Sequence, residues 1–306
     1  MLDAPYLDRS KLSDGSAALV TGLRTALVGL IAALGAGVAL LYTARTYRLT
    51  RRGQITDRFT KALERLGSTD VYVRAGGILA LEQIVQDAPE QAATDAARVL
   101  GHFIRERAPR ARTEPTGPGE EPLPDQPDAD VQAALTALTR PGFRTYVNTS
   151  LNLSELHLAG ADLHRADLTE GGMEGVNLAG ANLSGATLTA THLVHATLTG
   201  AILDRSELMW AVLDEADLSG AWLVGARLLE TSLWHAKLDG ARLRDAVLTH
   251  ASLEGASLVK ADLHRAVLDG ADLTGAALTG SNVHEANGLT PQQMASVGTD
   301  EIVFRW

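Results

Sequence analysis

From residue 151 to residue 286 the chain repeats every five residues, without one insertion or deletion. In phase it reads ADLHR-ADLTE-GGMEG-VNLAG-ANLSG-ATLTA, and so onward. The central position recurs from 153 to 283 at 27 sites, of which 25 are Leu; Met173 and Val283 are the exceptions. Two residues before each centre stands Ala at 19 of the 27 sites, and the others are mostly small or aliphatic, such as Gly171, Val176, Thr191 and Ser206. The other three positions carry the polar residues.

A period of five suits neither regular element. In an α-helix successive leucines would rotate by about 500°, or roughly 140° net, and would smear around the whole surface. In a strand they would alternate between faces, because five is odd. A backbone that turns a corner every five residues can point all of them inward. The segment is therefore expected to form a closed polygonal coil stacked along an axis, with Leu filling the interior.

The run resembles the pentapeptide repeat family, whose units read A(D/N)LXX. Ala161-Asp162-Leu163, Ala181-Asn182-Leu183 and Ala271-Asp272-Leu273 match that pattern outright. The resemblance implies an all-β right-handed quadrilateral β-helix with four pentapeptides per coil, a number the period alone does not supply. Four per coil gives the 27 units nearly seven coils and a rod roughly 32 Å tall at strand spacing. The whole chain further resembles membrane-anchored pentapeptide repeat proteins of actinobacteria.

The rest of the chain divides by composition into a tail (1–24), a candidate transmembrane helix (25–42), a helical module (43–108), a Pro-rich linker (109–128), an entry helix and cap (129–150), the rod (151–286) and a C-terminal cap (287–306). Thr25 to Tyr42 is an uncharged run of 18 residues, which as a helix rises roughly 27 Å, enough to cross a hydrocarbon core. Arg45, Arg48, Arg51 and Arg52 follow it, whereas the N-terminal flank mixes Asp3, Asp8 and Asp14 with Arg9 and Lys11. That asymmetry places the C-terminal domains in the cytoplasm and the protein in the cell membrane as a single-pass species. A signal peptide would carry its basic cluster ahead of the apolar run. Within the run, Ala32, Ala36 and Ala39, or Ala33 and Gly37, are spaced for close helix approach.

In the module, Ile55, Phe59, Leu63 and Leu66 share one stripe, and Gly67 is a candidate C-cap. Asp70 is a candidate N-cap for a helix whose apolar face is Val73, Gly77, Ala80, Leu81 and Ile84. Asp70-x-x-Val73-Arg74 with Ala80-Leu81 resembles the second helix of a HEAT-type repeat. Val99, Phe103 and Ile104 anchor a third helix begun at Pro89, and Val131, Ala134, Leu135 and Leu138 line the entry helix. Six prolines between 109 and 128 argue for a linker. Leu151 and Leu156 replace Ala at the rod's N-terminal end, implying bulkier packing under the entry helix. A short helix at 291–296 and the apolar tail 302–306 are expected to close the other end.

The chain has no cysteine, so disulfides and thiol chemistry are excluded. No nucleophile elbow, phosphate-binding loop or His-Glu-x-x-His motif occurs, and neither enzymatic activity, a cofactor nor a metal is expected. Eight of the nine histidines lie in the repeats, but stacking at 20-residue intervals gathers no triad: Glu215 separates His195 from His235, and His250 lies between Glu230 and Gly270. The net charge of −10 belongs to the repeats, where 18 Asp/Glu face 8 Lys/Arg, so direct nucleic-acid binding is not expected. Trp210, Trp222 and Trp234 fall at outward positions. Met209, Trp210, Val212, Leu229, Trp234 and Val247 are expected to form one apolar partner patch on the middle coils. The expected function is a membrane-anchored scaffold whose rod binds a protein, with a homodimer as a further mode of association. The alternative, which the family resemblance implies, is an acidic rod that mimics duplex DNA and modulates DNA gyrase. Against it, the column Asp162, Asn182, Ile202, Trp222, Arg242, Asp262, Asn282 is interrupted by Trp and Arg.

Overall fold

The computed structural model describes residues 9–112, 122–143, 146–147, 151–289 and 291. Four helices precede the repeats: α1 (Arg9–Leu66), α2 (Val71–Asp87), α3 (Pro89–Arg107) and α4 (Ala129–Leu138). The chain divides into two units, Met1–Arg58 and Phe59–Trp306.

The first unit is helical from Arg9 onward, and it contains one stretch long and apolar enough to cross a membrane. Among the described residues nothing covers that stretch: Leu27, Val28, Leu30, Ile31, Leu34 and Val38 are all more than half exposed. The threonines at its two ends bond within the helix, Thr25 Oγ1 donating to Thr21 O (2.9 Å) and Thr43 Oγ1 to Ala39 O (2.8 Å). Helix α1 runs unbroken past residue 42, where the sequence suggested a boundary, because no Gly or Pro signal interrupts residues 43–52.

In the second unit, Ala62, Arg65 and Leu66 of α1 lie against Gly77 of α2, and α2, α3 and α4 pack on one another. Asp70 caps α2, its carboxylate accepting from the Tyr72 N–H at 2.8 Å. The buried face of α2 is Arg74, Gly77, Ile78, Leu81, Ile84 and Val85. Of the expected stripe Gly77, Leu81 and Ile84 are buried, but Val73 is 42% exposed. The reason is Arg74, a charged residue inside the core. Its guanidinium donates to Asp130 of α4 (2.5 Å) and to the carbonyls of Ser68 (3.0 Å) and Thr69 (2.8 Å). Asp130 is fully buried, accepts from the Val131 N–H and is also approached by Arg107 of α3 at 3.0 Å. Three helices thus converge on one carboxylate. Leu100 and Ile104 fill the core from α3 beside Ala92, Ala93, Ala96 and Ala97, while Val99 and Phe103 lie half-buried.

In the repeats, each second-position residue bridges in parallel to the residue 20 further on, for example Asp162 to Asn182 and Trp222 to Arg242. Twenty residues per coil means four pentapeptides per coil. Pairing is confined to single-residue bridges, so the walls are not the continuous strands of an all-β sheet. Each strand-like stretch is cut short by the next corner. The core matches the five-residue phase: every centre from Leu153 to Leu278 is at most 2% exposed. Hydroxyl residues at the Ala position are tolerated because each bonds a carbonyl inside, as in Thr191 Oγ1 to Leu168 O (2.9 Å) and Ser206 Oγ to Leu203 O (2.8 Å).

The N-terminal end of the rod would expose unpaired backbone, a template for edge pairing, and the helical module covers it. The His157 N–H donates to Pro109 O (2.8 Å) and the Asp167 N–H to Thr139 O (2.7 Å). The Gln132 amide takes the place of a strand against residue 162, accepting from its N–H (2.9 Å) and donating to its carbonyl (2.7 Å). Leu151 and Leu156 are buried at this end. Part of the Pro-rich stretch belongs to the cap: Arg110 bridges antiparallel to Leu156, and Pro124 O sits 2.7 Å from His157 Nε2. Gly160, with φ +63, leaves room for the neighbouring chain, since a Cβ there would lie 2.3 Å from Asp125 O. The expected C-terminal helix and tail lie outside the described residues, Pro291 excepted.

Candidate protein-interaction surface

Within each pentapeptide the backbone accounts for itself. In the unit 161–165, the Leu163 N–H donates to Asn182 O (2.8 Å) and the Arg165 N–H to Ser184 O (2.9 Å), both on the next coil. One coil on, the Asn182 N–H returns to Ala161 O (2.9 Å). The Ala166 N–H closes the corner on Leu163 O (3.1 Å). The fourth N–H is left over, and the second-position Asp or Asn takes it: Asn177 Oδ1 accepts from Ala179 (3.0 Å), Asp217 from Ser219 (3.0 Å) and Asp272 from Thr274 (3.0 Å). That bond is the physical reason for D/N in the repeat. Where the second residue is apolar, an Asp one coil back substitutes, as in Val224 N to Asp204 Oδ1 (2.9 Å) above Trp222. The hydrogen bonds from the Thr274 hydroxyl and N–H hold the Asp272 carboxyl below its ordinary 3.8. Burial raises that of Asp162, but hydrogen bonds from His164 outweigh it and the net shift is downward.

Every fifth residue from 155 to 285 has a positive φ, and fifteen of these are not glycine. An L-residue in that region costs roughly 1–2 kcal/mol. The fifth side chains therefore stand at the corners, aimed outward. Trp210 is one, with φ +60.

Stacking at 20-residue intervals defines four faces: face 1 starts from 151–155, face 2 from 156–160, face 3 from 161–165 and face 4 from 166–170. Sorting the charges by face exposes an asymmetry. Between 151 and 289, face 1 holds six acids and no Lys or Arg, and face 4 holds five acids and only Arg227. Face 2 has two of each sign and face 3 five of each. Net charges are −6, 0, 0 and −4. The whole −10 lies on two adjacent faces. Face 3 neutralises itself with pairs such as Arg265–Asp245 (3.2 Å) and Arg244–Asp262 (3.7 Å). This signal was available in the sequence, but only once charges are compared across all four faces rather than down the single column from Asp162.

The six apolar positions also fall on faces 1 and 4. Met209 and Leu229 occupy equivalent places on successive coils of face 4, with Val247 on the coil beyond; Val212 and Trp234 lie on face 1. Trp210 stands at the shared corner, 52% exposed, with Nε1 donating to Glu230 Oε2 (3.1 Å). Trp234 is 39% exposed; its N–H is held by Asp214 Oδ1 and its ring meets His235 edge-on, centroids 4.1 Å apart. Trp222 is elsewhere, on face 3, under the Arg242 guanidinium at 3.9 Å.

The histidines are surface groups apart from His157, which is buried between Pro124 O and Asn177. His195 Nδ1 lies 3.6 Å from Glu215, and His264 stacks on His284. Among the described residues no group of three or more His, Asp or Glu is placed to hold a metal ion. Arg45, Arg48, Arg51 and Arg52 lie along α1 beyond the apolar run.

Comparison with known proteins adds the family. The family model for pentapeptide repeats matches residues 149–284 in eight overlapping copies. The cyanobacterial protein HetL of Nostoc sp. strain PCC 7120, a pentapeptide repeat protein involved in heterocyst differentiation regulation, is 33% identical over 48% of this chain and 69% of its own, with a TM-score of 0.36. This chain belongs to the pentapeptide repeat family. The family's right-handed β-helix accounts for the four-sided coil. Two other solved pentapeptide repeat structures are more distant. One is QnrB1, a plasmid-mediated fluoroquinolone resistance protein, 21% identical over 49% of this chain and 91% of its own with a TM-score of 0.31. The other, from the Arabidopsis thaliana thylakoid lumen, is 25% identical over 34% of this chain and 65% of its own with a TM-score of 0.24. No curated protein sequence matches the chain significantly.

Proposed function

We propose that this pentapeptide repeat protein is a non-enzymatic scaffold, anchored by residues 25–42 of α1 in the cell membrane, whose rod captures a protein partner in the cytoplasm. The observation that carries the reading is the gathering of exposed apolar side chains, Trp210 and Trp234 foremost, on two adjacent faces of a rod that does not need them for its core. The anchor is supported by the uncovered apolar stretch of α1 with its internally bonded threonines, and its orientation by the arginines at 45, 48, 51 and 52.

The test uses the intact chain. The protein should stay in membranes after a high-salt wash; recovery in the soluble fraction removes the anchor. Crosslinking in those membranes should then trap a partner species that Trp210→Ser/Trp234→Ser loses at equal expression. A double variant that retains the same species leaves the patch without a role. A duplex mimic acting on DNA gyrase is the second reading, favoured by the net acidity of faces 1 and 4. The apolar cluster interrupts those faces at their middle, where a duplex mimic needs carboxylates. Inhibition of gyrase supercoiling by the purified chain would favour the mimic, and its absence the scaffold.

A further inference from the structure

The patch lies at the centre of the two faces that carry all of the rod's net charge, and that coincidence identifies the chemistry of what binds there. We infer that the adjoining faces 4 and 1 dock a Lys/Arg-rich polypeptide segment bearing apolar anchors, an inference that rests on the scaffold reading and specifies its partner.

An uncompensated field of one sign works against the folded rod, so its confinement to two faces requires a reason. Face 3 shows that the same repeat accommodates five arginines against five acids with pairs at 3.2–3.7 Å. Faces 1 and 4 have one such residue, Arg227, already engaged with Glu207 at 3.5 Å. Glu230 at the face 4–face 1 corner and Glu215 and Glu254 on face 1, all exposed, flank Trp210 and Trp234. Glu230 also holds the exposed Trp210 ring through its indole N–H. A rigid ring loses few rotamers on contact and anchors well, while surrounding carboxylates steer a cationic partner and reject an anionic one. An anionic lipid surface or a nucleic acid is repelled by the same field. From residue 170 to residue 269 faces 4 and 1 climb five coils, roughly 24 Å at strand spacing, the length of a helix of about 16 residues.

The experiment uses the full chain in phosphatidylcholine nanodiscs, with empty discs as blank. The probes are a fluorescent 16-residue Lys-rich peptide with two leucines one turn apart and its Glu-rich counterpart. The Lys peptide should bind and the Glu peptide should not. Glu215→Gln/Glu230→Gln/Glu254→Gln should weaken binding at least tenfold. Thr199→Lys/Ser219→Lys/Thr279→Lys, which shifts net charge by the same three units on face 2, should change it less than twofold. Trp210→Ser/Trp234→Ser should weaken it about fivefold, persisting at high salt where the charge effect fades. Equal loss from the two charge triples, or no preference between peptides, overturns the inference. The scaffold reading fails separately: if wild type traps no partner in membranes it is wrong. If it traps one that the Gln triple still holds, the scaffold stands and the basic segment does not.

Discussion

The carboxylate of Asp130 sits where α2, α3 and α4 meet, and removing it should be the most damaging single change in the helical module. It is fully buried, with Arg74 at 2.5 Å, Arg107 at 3.0 Å and the Val131 N–H as its donors. The Arg74 side chain is 8% exposed and that of Arg107 36%. Asp130→Ala leaves the Arg74 charge buried without a counter-ion, a situation that costs about 3–5 kcal/mol. Arg74→Ala should cost a similar amount by stranding Asp130, partly relieved by Arg107. Arg107→Ala should cost about 1 kcal/mol or less, because its guanidinium reaches water and loses mainly a screened pair. The double variant Arg74→Leu/Asp130→Leu removes both charges, and replacing a buried pair by apolar groups is often close to neutral. It should therefore be more stable than Asp130→Leu alone by about 2 kcal/mol, a coupling within the range of contacting residues. Urea unfolding of the detergent-solubilised chain, followed by the helical circular dichroism signal, measures these five variants and the remaining single, Arg74→Leu. The reasoning is refuted if Asp130→Ala shifts stability by less than 1 kcal/mol, or if the double variant is as damaged as the sum of its singles.

Leu218→Asp buries a charge in a fully enclosed column and should cost several kcal/mol, whereas Ser219→Asp, partly exposed one residue on, should stay within ~0.5 kcal/mol; equal effects in thermal melts would mean the five-residue phase is wrong. Trp210→Gly relieves a positive φ of 60° and should raise the rod's stability by up to about 1 kcal/mol while reducing partner capture; a loss of stability would show the ring to be structural. Gln132→Ala strips both bonds from the backbone of residue 162 and should cost about 1–3 kcal/mol, with faster amide exchange at residue 162 as its local signature. The depressed pKa of Asp272 stabilises the fold above its unfolded value of 3.8, and that contribution disappears as pH falls through the lower folded value; Asp272→Asn should flatten the acid limb of stability below pH 3.8, and an unchanged limb would contradict the assignment.

What could be read from the sequence followed from how local each feature's cause is. The rod's interior was legible because one constraint, Leu inward every five residues, repeats at every unit and leaves no competing phase. The outward direction of Trp210, Trp222 and Trp234 followed from the same constraint. The buried face of α2 was legible at Gly77, Leu81 and Ile84 but not in its first turn, where the deciding contact is not local: Arg74 belongs inside only because Asp130, 56 residues later, arrives to meet it. A hydrophobic stripe drawn on α2 alone must reject an arginine and slide to Val73. The Pro-rich stretch was similarly opaque. Pro109, Pro124 and Asp125 bury little apolar surface, yet their carbonyls meet the His157 backbone, its ring and the Gly160 corner on the first coil, needs created by an open end rather than by composition. The fifteen corner residues with positive φ carry no common side-chain signal either, since Glu, Arg, His and Trp are all accepted once the coil above and below fixes the turn. The charge asymmetry is the intermediate case. Its residues are all visible in the chain, but faces 1 and 4 become acidic as units only when a period of 20 is laid over the period of five. That longer period is a property of closure, set by how many corners complete a coil, and no single repeat contains it.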